Sequence, residues 1–150
     1  MTVEQLENGA ERFVTAGGIA ITRQRHATPY EGAIETYIDA LDSRRGCVFS
    51  SNYEYPGRYT RWDTAMIDPP LVVSARGRAM KIEALNERGA VMLPAIARLL
   101  DGQEHVASVA SQDNALAVQV AEPGRVFSEE ERSRAPTVFS VLRALVDLFR

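Results

Sequence analysis

The sequence predicts an α+β protein in which a largely antiparallel sheet carries two to four packed helices. Short segments that alternate apolar and polar residues are separated by Gly and Pro turns, the pattern of antiparallel strands. Longer stretches place apolar residues at helical spacing. A chain of 150 residues can bury about two thirds of its unfolded surface, so one compact core is expected.

The first elements are a hairpin and a helix. Residues 11–15 and 19–23 alternate around Gly17-Gly18, which predicts two antiparallel strands. Residues 28–31, Thr-Pro-Tyr-Glu, have the form of a capping box, so we expect a helix to start there. Its apolar stripe would run for three to four turns, through Tyr30, Ile34, Tyr37, Ile38 and Leu41.

The middle of the chain predicts strands. Residues 47–49 are a short apolar run suited to an inner strand, and Pro56-Gly57 marks a turn after it. Returning segments at 59–67, 71–75 and 80–84 then predict a three-stranded antiparallel meander.

The last third predicts two helices and a strand. Pro94 is tolerated only in the first turn of a helix, so the first of these helices is expected to begin near Gly89 or Ala90. Residues 103–114 show no pattern, 116–120 alternate as a strand, and 128–131 form a second capping-box candidate. A final helix from Pro136 stays apolar up to Phe149, which suggests a piece of a longer protein with an exposed helix stripe. The alternative is a terminal helix docked on its own domain.

Composition and charge exclude several classes of function. The net charge is -3 and Lys/Arg residues are not clustered, so no nucleic-acid partner is expected. No apolar run approaches the roughly 18 residues of a membrane span. The N-terminus lacks the features of a signal peptide and there is one cysteine, which indicates a cytoplasmic protein.

Chemistry-bearing residues are sparse. Cys47, His26 and His105 are far apart in sequence, so no metal site is predicted. Cys47 is expected to be a buried thiol and both histidines to lie at the surface. No glycine pattern of a phosphate-binding loop is present. The residues alone therefore indicate no reaction centre.

Residues 50–63 hold three of the five tyrosines and the single tryptophan. Polar residues at 50, 51, 52 and 54 stand where an apolar strand should continue. Their hydroxyl, amide and carboxylate groups could bind the polar ends of a free amino acid, with Glu54 pairing an ammonium group and Val48 contacting the side chain. An exposed hairpin with tyrosines covering the sheet is the simpler explanation of the stretch from its chemistry alone, and both readings stay open.

A family resemblance adds to this reading. The segment 47–59, CVFSSNYEYPGRY, resembles the amino-terminal part of anthranilate synthase, especially the large forms that fuse the chorismate and glutamine-amidotransferase components. The resemblance continues at residues 80–89, 126–127 and 136–143, and so covers nearly the whole chain.

The resemblance implies an amino-terminal fragment of the chorismate-utilising fold. The enzyme, a carbon-oxygen lyase, would convert chorismate and glutamine, with Mg2+, to anthranilate, pyruvate and glutamate, the first committed step of tryptophan synthesis. Residues 1–150 would form its regulatory segment, without catalytic residues, cofactor or activity of its own. The chorismate-binding and amidotransferase domains would lie downstream of residue 150 and be its partners, and a homo-oligomer is possible.

Tryptophan is the implied inhibitor. The family's effector-contacting serine matches Ser51, whereas position 50 is a serine in place of the family's glutamate. The predicted effector site comprises Val48, Ser50, Ser51, Asn52, Glu54 and Arg61. Trp62 and the tyrosines are expected to serve packing. Two alternatives remain: the same region of an aminodeoxychorismate or phenazine-pathway synthase, and a free-standing amino-acid-binding module.

Overall fold

A computed structural model of the chain describes residues 3–7, 9–51, 55–58, 62–124, 126–131 and 135–150. It divides into two compact units, one formed by residues 1–25 with 70–150 and the other by residues 26–69. The described residues form helices and antiparallel sheets, which confirms the predicted α+β class. The single core predicted from the sequence is replaced by two units, of which the larger contains the buried hydrophobic cluster.

The elements follow the chain from β1 to α3. Their bounds are β1 Val3–Gln5, β2 Glu11–Val14, β3 Ala20–Arg23, α1 Ala33–Ala40, β4 Gly46–Ser50, β5 Asp63–Ile67, β6 Leu71–Arg76, β7 Ala79–Ala84, α2 Glu87–Leu100, β8 Val106–Gln112, β9 Ala115–Val120 and α3 Val138–Leu148.

The larger unit contains two antiparallel sheets. Strands β1, β2 and β3 form one in that order, and the other has the order β6-β7-β9-β8. The predicted three-stranded meander of residues 59–84 is wrong in its first pairing, because β5 pairs with β4 and not with β6. The antiparallel pairing of its last two strands, β6 and β7, is confirmed. The break between β5 and β6 has a local cause: Asp68 has a φ of 51° and two prolines follow it.

The core lies between one face of the four-stranded sheet and the helices α2 and α3. Met80 and Ile82 of β7 stand opposite Val118 and Leu116 of β9, and all four are buried. The helices contribute Leu93, Ile96, Leu100, Val141, Leu145 and Leu148 to the same cluster. Burial of alternate strand residues against apolar helix stripes is the source of this unit's stability.

Helix α2 begins at Glu87, earlier than predicted. The Asn86 side chain accepts a hydrogen bond from the Gly89 N–H at 3.2 Å and so caps the helix. Pro94 is consequently the eighth helical residue, which corrects the expectation that it must lie in the first turn. Packing of the surrounding turns in the core keeps the helix continuous despite the missing N–H. The second capping-box candidate, Ser128 to Glu131, forms a turn rather than a helix.

Strand β8 was not predicted because the pattern of its residues is that of a solvent-exposed edge strand. Five of its seven residues are exposed, so the apolar alternation that identifies a strand is missing. The two-residue turn Asp113-Asn114 joins it to β9, with Asp113 at a φ of 43°.

The end of α3 is docked on the turn between β2 and β3. The Thr15 hydroxyl donates to the Leu148 carbonyl at 2.7 Å, and the Ala16 N–H donates to the Arg150 carbonyl at 2.7 Å. The apolar stripe of α3 is buried in the core of its own unit, so the expectation that it would be exposed is wrong. None of the helices in the described part of the chain is long and apolar enough to cross a bilayer.

The smaller unit consists of α1 and the hairpin β4–β5. Helix α1 begins at Ala33 and has 8 residues, so the predicted start at Thr28 and the length of three to four turns are wrong. Gly32 has a φ of 74°, and this left-handed residue interrupts the helical backbone between the capping-box sequence and α1. No described residue of this unit is fully buried.

Candidate ligand-binding site

The hairpin β4–β5 positions the predicted effector residues that the structure describes. Its register pairs Val48 with Ala65 and Ser50 with Asp63. Directly paired residues of an antiparallel sheet share a face, and neighbours along a strand alternate. Val48 and Ser50 therefore lie on the same face as Asp63 and Ala65, and that face is turned toward α1.

Ser51 continues the hairpin beyond β4. Its N–H donates to the Trp62 carbonyl at 2.9 Å, so the antiparallel pairing extends by one more pair. Alternation then assigns Ser51 to the opposite face, with Phe49 and Trp62. The structure thus brings Val48 and Ser50 together on the face toward α1 and separates Ser51 from them. The other predicted residues, Asn52, Glu54 and Arg61, lie outside the described residues.

A carboxylate that the sequence analysis missed stands across the hairpin from Ser50. The Ser50 hydroxyl donates to Oδ1 of Asp63, and the Tyr30 hydroxyl donates to Oδ2. A signal for this arrangement was present in the sequence. The predicted turn Pro56-Gly57 is the centre of the hairpin, and residues 50 and 63 are equally distant from it.

A groove lies between this end of the hairpin and α1. It is lined by Tyr30, Ala33, Ile34, Tyr37, Asp63 and Ala65. The four residues from the helix side are spaced by three and four positions, so they form one face of α1 and of the turn before it. The groove is consequently apolar and aromatic along the helix, with a hydrogen-bonded carboxylate at one end.

The groove extends along β5 to a basic end. A second concave region beside Tyr37 and Ala65 is lined also by Arg44 and Ile67. The Arg44 guanidinium donates to the Asp68 carboxylate, and this hydrogen bond raises the pKa of Arg44. The positive charge at this end is therefore engaged by an ion pair within the unit.

The face of the hairpin away from α1 carries large exposed side chains. Phe49 is 58%, Trp62 55% and Met66 47% exposed, although strand alternation places all three on this face. Tyr55, in the turn region, is 54% exposed. Among the described residues, the packing role expected for Trp62 is therefore not seen.

Other candidate chemistry is weak. Within the described residues, no group of three or more His, Cys, Asp or Glu side chains could hold a metal ion. Cys47 is a half-buried free thiol rather than a fully buried one. His26 is exposed as predicted, whereas His105 is half-buried and its Nδ1 is buried without a hydrogen-bond partner among the described residues.

These features define a small α+β module whose candidate site, on a hairpin and a short helix, is suited to binding a small molecule. The chain is similar to an anthranilate synthase of Azospirillum brasilense, with 46% identity over 138 residues. The similarity covers 92% of this chain and 19% of the relative, which confirms the resemblance inferred from the sequence motifs. The chain thus spans about a fifth of the length of the curated relative that it matches. Neither a protein-family model nor a solved structure matches it.

Proposed function

We propose that this chain is the amino-terminal, tryptophan-sensing part of an anthranilate synthase. The complete enzyme would form anthranilate, pyruvate and glutamate from chorismate and glutamine, as a carbon-oxygen lyase of tryptophan biosynthesis. The observation that carries the proposal is the 46% identity to an anthranilate synthase over 92% of this chain.

The chemistry of the reaction would lie elsewhere in the longer protein. In this proposal, Mg2+ and chorismate would be held by residues outside this chain. Ammonia from glutamine would likewise be supplied by an amidotransferase domain. We therefore expect the 150-residue chain to be inactive alone and the full-length enzyme to act in the cytoplasm.

The exposed face of the hairpin would be covered by the rest of the enzyme or by another copy of it. Phe49, Trp62 and Met66 form an exposed apolar group on a two-stranded sheet, which is marginally stable by itself. Contact with a downstream domain would bury them. This coverage would also link the hairpin, and any ligand bound on it, to the domain that performs catalysis.

Inhibition would be allosteric. Tryptophan bound at the hairpin can lower activity if it binds an inactive conformation better than an active one. Couplings of this kind are typically about 1–3 kcal/mol, equivalent to roughly 5- to 150-fold in affinity. The proposed effector residues are Val48, Ser50 and Ser51 together with the undescribed Asn52, Glu54 and Arg61.

The first test is the product formed by the full-length protein. We expect purified enzyme with chorismate, glutamine and Mg2+ to release anthranilate, and tryptophan to inhibit this reaction. Formation of an aminodeoxychorismate or phenazine precursor would contradict the proposal. So would a reading frame that ends at Arg150 and encodes a tryptophan-binding protein without activity.

The second test addresses the effector residues. We expect Phe at position 50 or 51 to occupy ligand space and raise the tryptophan concentration for half-inhibition by about 10-fold, with uninhibited turnover within about twofold of wild type. Because Ser50 and Ser51 belong to opposite faces of the hairpin, Ser50→Phe and Ser51→Phe report on the two faces separately. Ser74→Phe, on an exposed strand position of the larger unit, is the matched control. Unchanged tryptophan sensitivity in both variants would refute the site assignment.

A further inference from the structure

Strand β8 forms one edge of the four-stranded sheet. In the order β6-β7-β9-β8 it pairs with β9, and the described residues place no strand on its other side. Alternate residues of an antiparallel strand direct their backbone N–H and C=O groups to opposite sides. The Val120 N–H of β9 donates to the carbonyl just before β7, so Val118 and Leu116 are bonded to β7 as well. Val109 and Ser111, which face these two residues across β8, consequently direct their N–H and C=O groups to the open edge.

The open edge of β8 lacks most of the features that keep sheet edges from pairing with another strand. Natural edge strands are short, or carry prolines or charged side chains. Strand β8 has 7 residues, VASVASQ, without a proline or a charge, and a bulge between Val106 and Ser108 interrupts only its start. The opposite edge strand, β6, follows Pro69-Pro70 and ends in Arg76. Of the two edges of this sheet, β8 is therefore the one suited to accept a further strand.

The hydrophobic core of the larger unit also reaches this edge. Val106 and Val109 pack against the buried cluster but are themselves only half-buried. Helix α2 contacts β8, so it covers the same face of the sheet. A further strand with apolar residues at alternate positions would lie beside Val109 and bury the part of its side chain that remains exposed.

We propose that a strand from the part of the longer enzyme outside residues 1–150 pairs with the open edge of β8 and extends this sheet. The inference rests on the proposed function. Most of the curated relative's length lies outside the 19% that the similarity covers, so it contains ample chain for such a strand. A second copy of β8 is a poorer partner. Antiparallel pairing of two β8 strands would bring the exposed Glu104, before one strand, close to Asp113, after the other, and like charges facing each other destabilise a sheet.

The first test is hydrogen–deuterium exchange of the full-length protein, with fragmentation that resolves single amides. An amide bonded within a sheet exchanges only when the structure opens locally, whereas one that faces solvent exchanges quickly. We expect the N–H groups of Val109 and Ser111 to exchange at least about 100-fold more slowly than in an unstructured chain. Ala110, whose N–H is directed to β9, is the internal control for a formed strand. Rapid exchange of Val109 and Ser111 beside a protected Ala110 would overturn the proposal.

The second test identifies the partner by photo-crosslinking. The full-length protein with p-benzoylphenylalanine in place of Ser111, an exposed residue, should form a crosslink within one polypeptide to a segment beyond residue 150. The same probe in place of Ala75, on the opposite edge strand, should not reach that segment. A crosslinked dimer joined through residues 1–150 would show that a second copy covers the edge, and would overturn the proposal.

The outcomes separate this inference from the proposed function. A full-length enzyme that forms anthranilate but leaves Val109 and Ser111 unprotected would overturn the pairing of β8 alone. A reading frame that ends at Arg150 would overturn the proposed function, and the proposed partner of β8 with it.

Discussion

Replacing Thr15 by valine should destabilise the larger unit by about 2–3 kcal/mol. Thr15 is 4% exposed, and its hydroxyl donates to the Leu148 carbonyl at 2.7 Å and accepts from the Ile19 N–H at 3.0 Å. Valine keeps the shape but removes both bonds. A buried polar group left without its partner costs about 1–3 kcal/mol. Loss of the acceptor for the Ile19 N–H costs less than loss of the donor to Leu148, because Ile19 is half-buried and water can replace the hydroxyl.

The measurement is urea unfolding followed by circular dichroism at 222 nm. Helices α2 and α3, with 14 and 11 residues, lie in the larger unit and dominate the signal over the 8 residues of α1. Thr15→Ser keeps the hydroxyl and loses one methyl group, so it should cost about 1 kcal/mol. Thr22→Val, on an exposed strand position, should stay within about 0.5 kcal/mol of wild type. A Thr15→Val protein as stable as Thr15→Ser would refute the role of the hydroxyl.

Two further predictions concern the smaller unit and the first sheet. Gly46→Ala should destabilise the hairpin by about 2 kcal/mol or more, because an added Cβ would lie 2.2 Å from the Met66 carbonyl oxygen. Trp62 fluorescence reports on this unit during unfolding, and Gly124→Ala, where a Cβ would have no neighbour within 4 Å, is the control. In the first sheet, a hydrogen bond from Arg23 and a second from Arg25 lower the pKa of Glu11. The ionised Glu11 side chain therefore stabilises the folded state above the unfolded carboxyl pKa of about 4.3. This stabilisation is lost as the pH falls through the lower pKa of the folded state. The melting-temperature difference between wild type and Glu11→Gln should therefore be constant above about pH 5 and shrink below it, and a difference independent of pH would contradict this account.

Local signals in the sequence predicted those elements whose partners are close along the chain. The hairpin around Gly17-Gly18 and the turn at Pro56-Gly57 were correct because turn chemistry and alternation are short-range properties. The pairing of β7 with β9 joins residues that are far apart along the chain, so the order of the sheet could not be derived from local pattern. Strand β8 was missed because its side chains are mostly exposed, and a strand of this kind lacks periodicity.

The candidate site was predicted in part for the same reason. Ser50 was selected because polar residues interrupt an apolar strand, and Val48 as the apolar residue beside them; both signals are visible along the chain. Asp63 and the face of α1 become part of the site through pairing and packing across the hairpin. The position of Asp63 could have been inferred from the turn at Pro56-Gly57. The contribution of Tyr30 could not, because the capping-box sequence 28–31 predicted a helix start that Gly32 displaces.

The low burial of the smaller unit gives a ligand unusual influence over it. None of its described residues is fully buried, and its sheet has two strands. Its stability is therefore expected to come largely from what binds to it, and a ligand in the groove at 100 times its dissociation constant would add about 2.7 kcal/mol. The parts of a protein that respond to ligands generally lie in its regions of low intrinsic stability. Under the proposed function, an effector that ordered the hairpin against α1 would also fix the opposite face, on which Phe49 and Met66 are exposed. A downstream domain packed on that face would then respond to effector binding on the other.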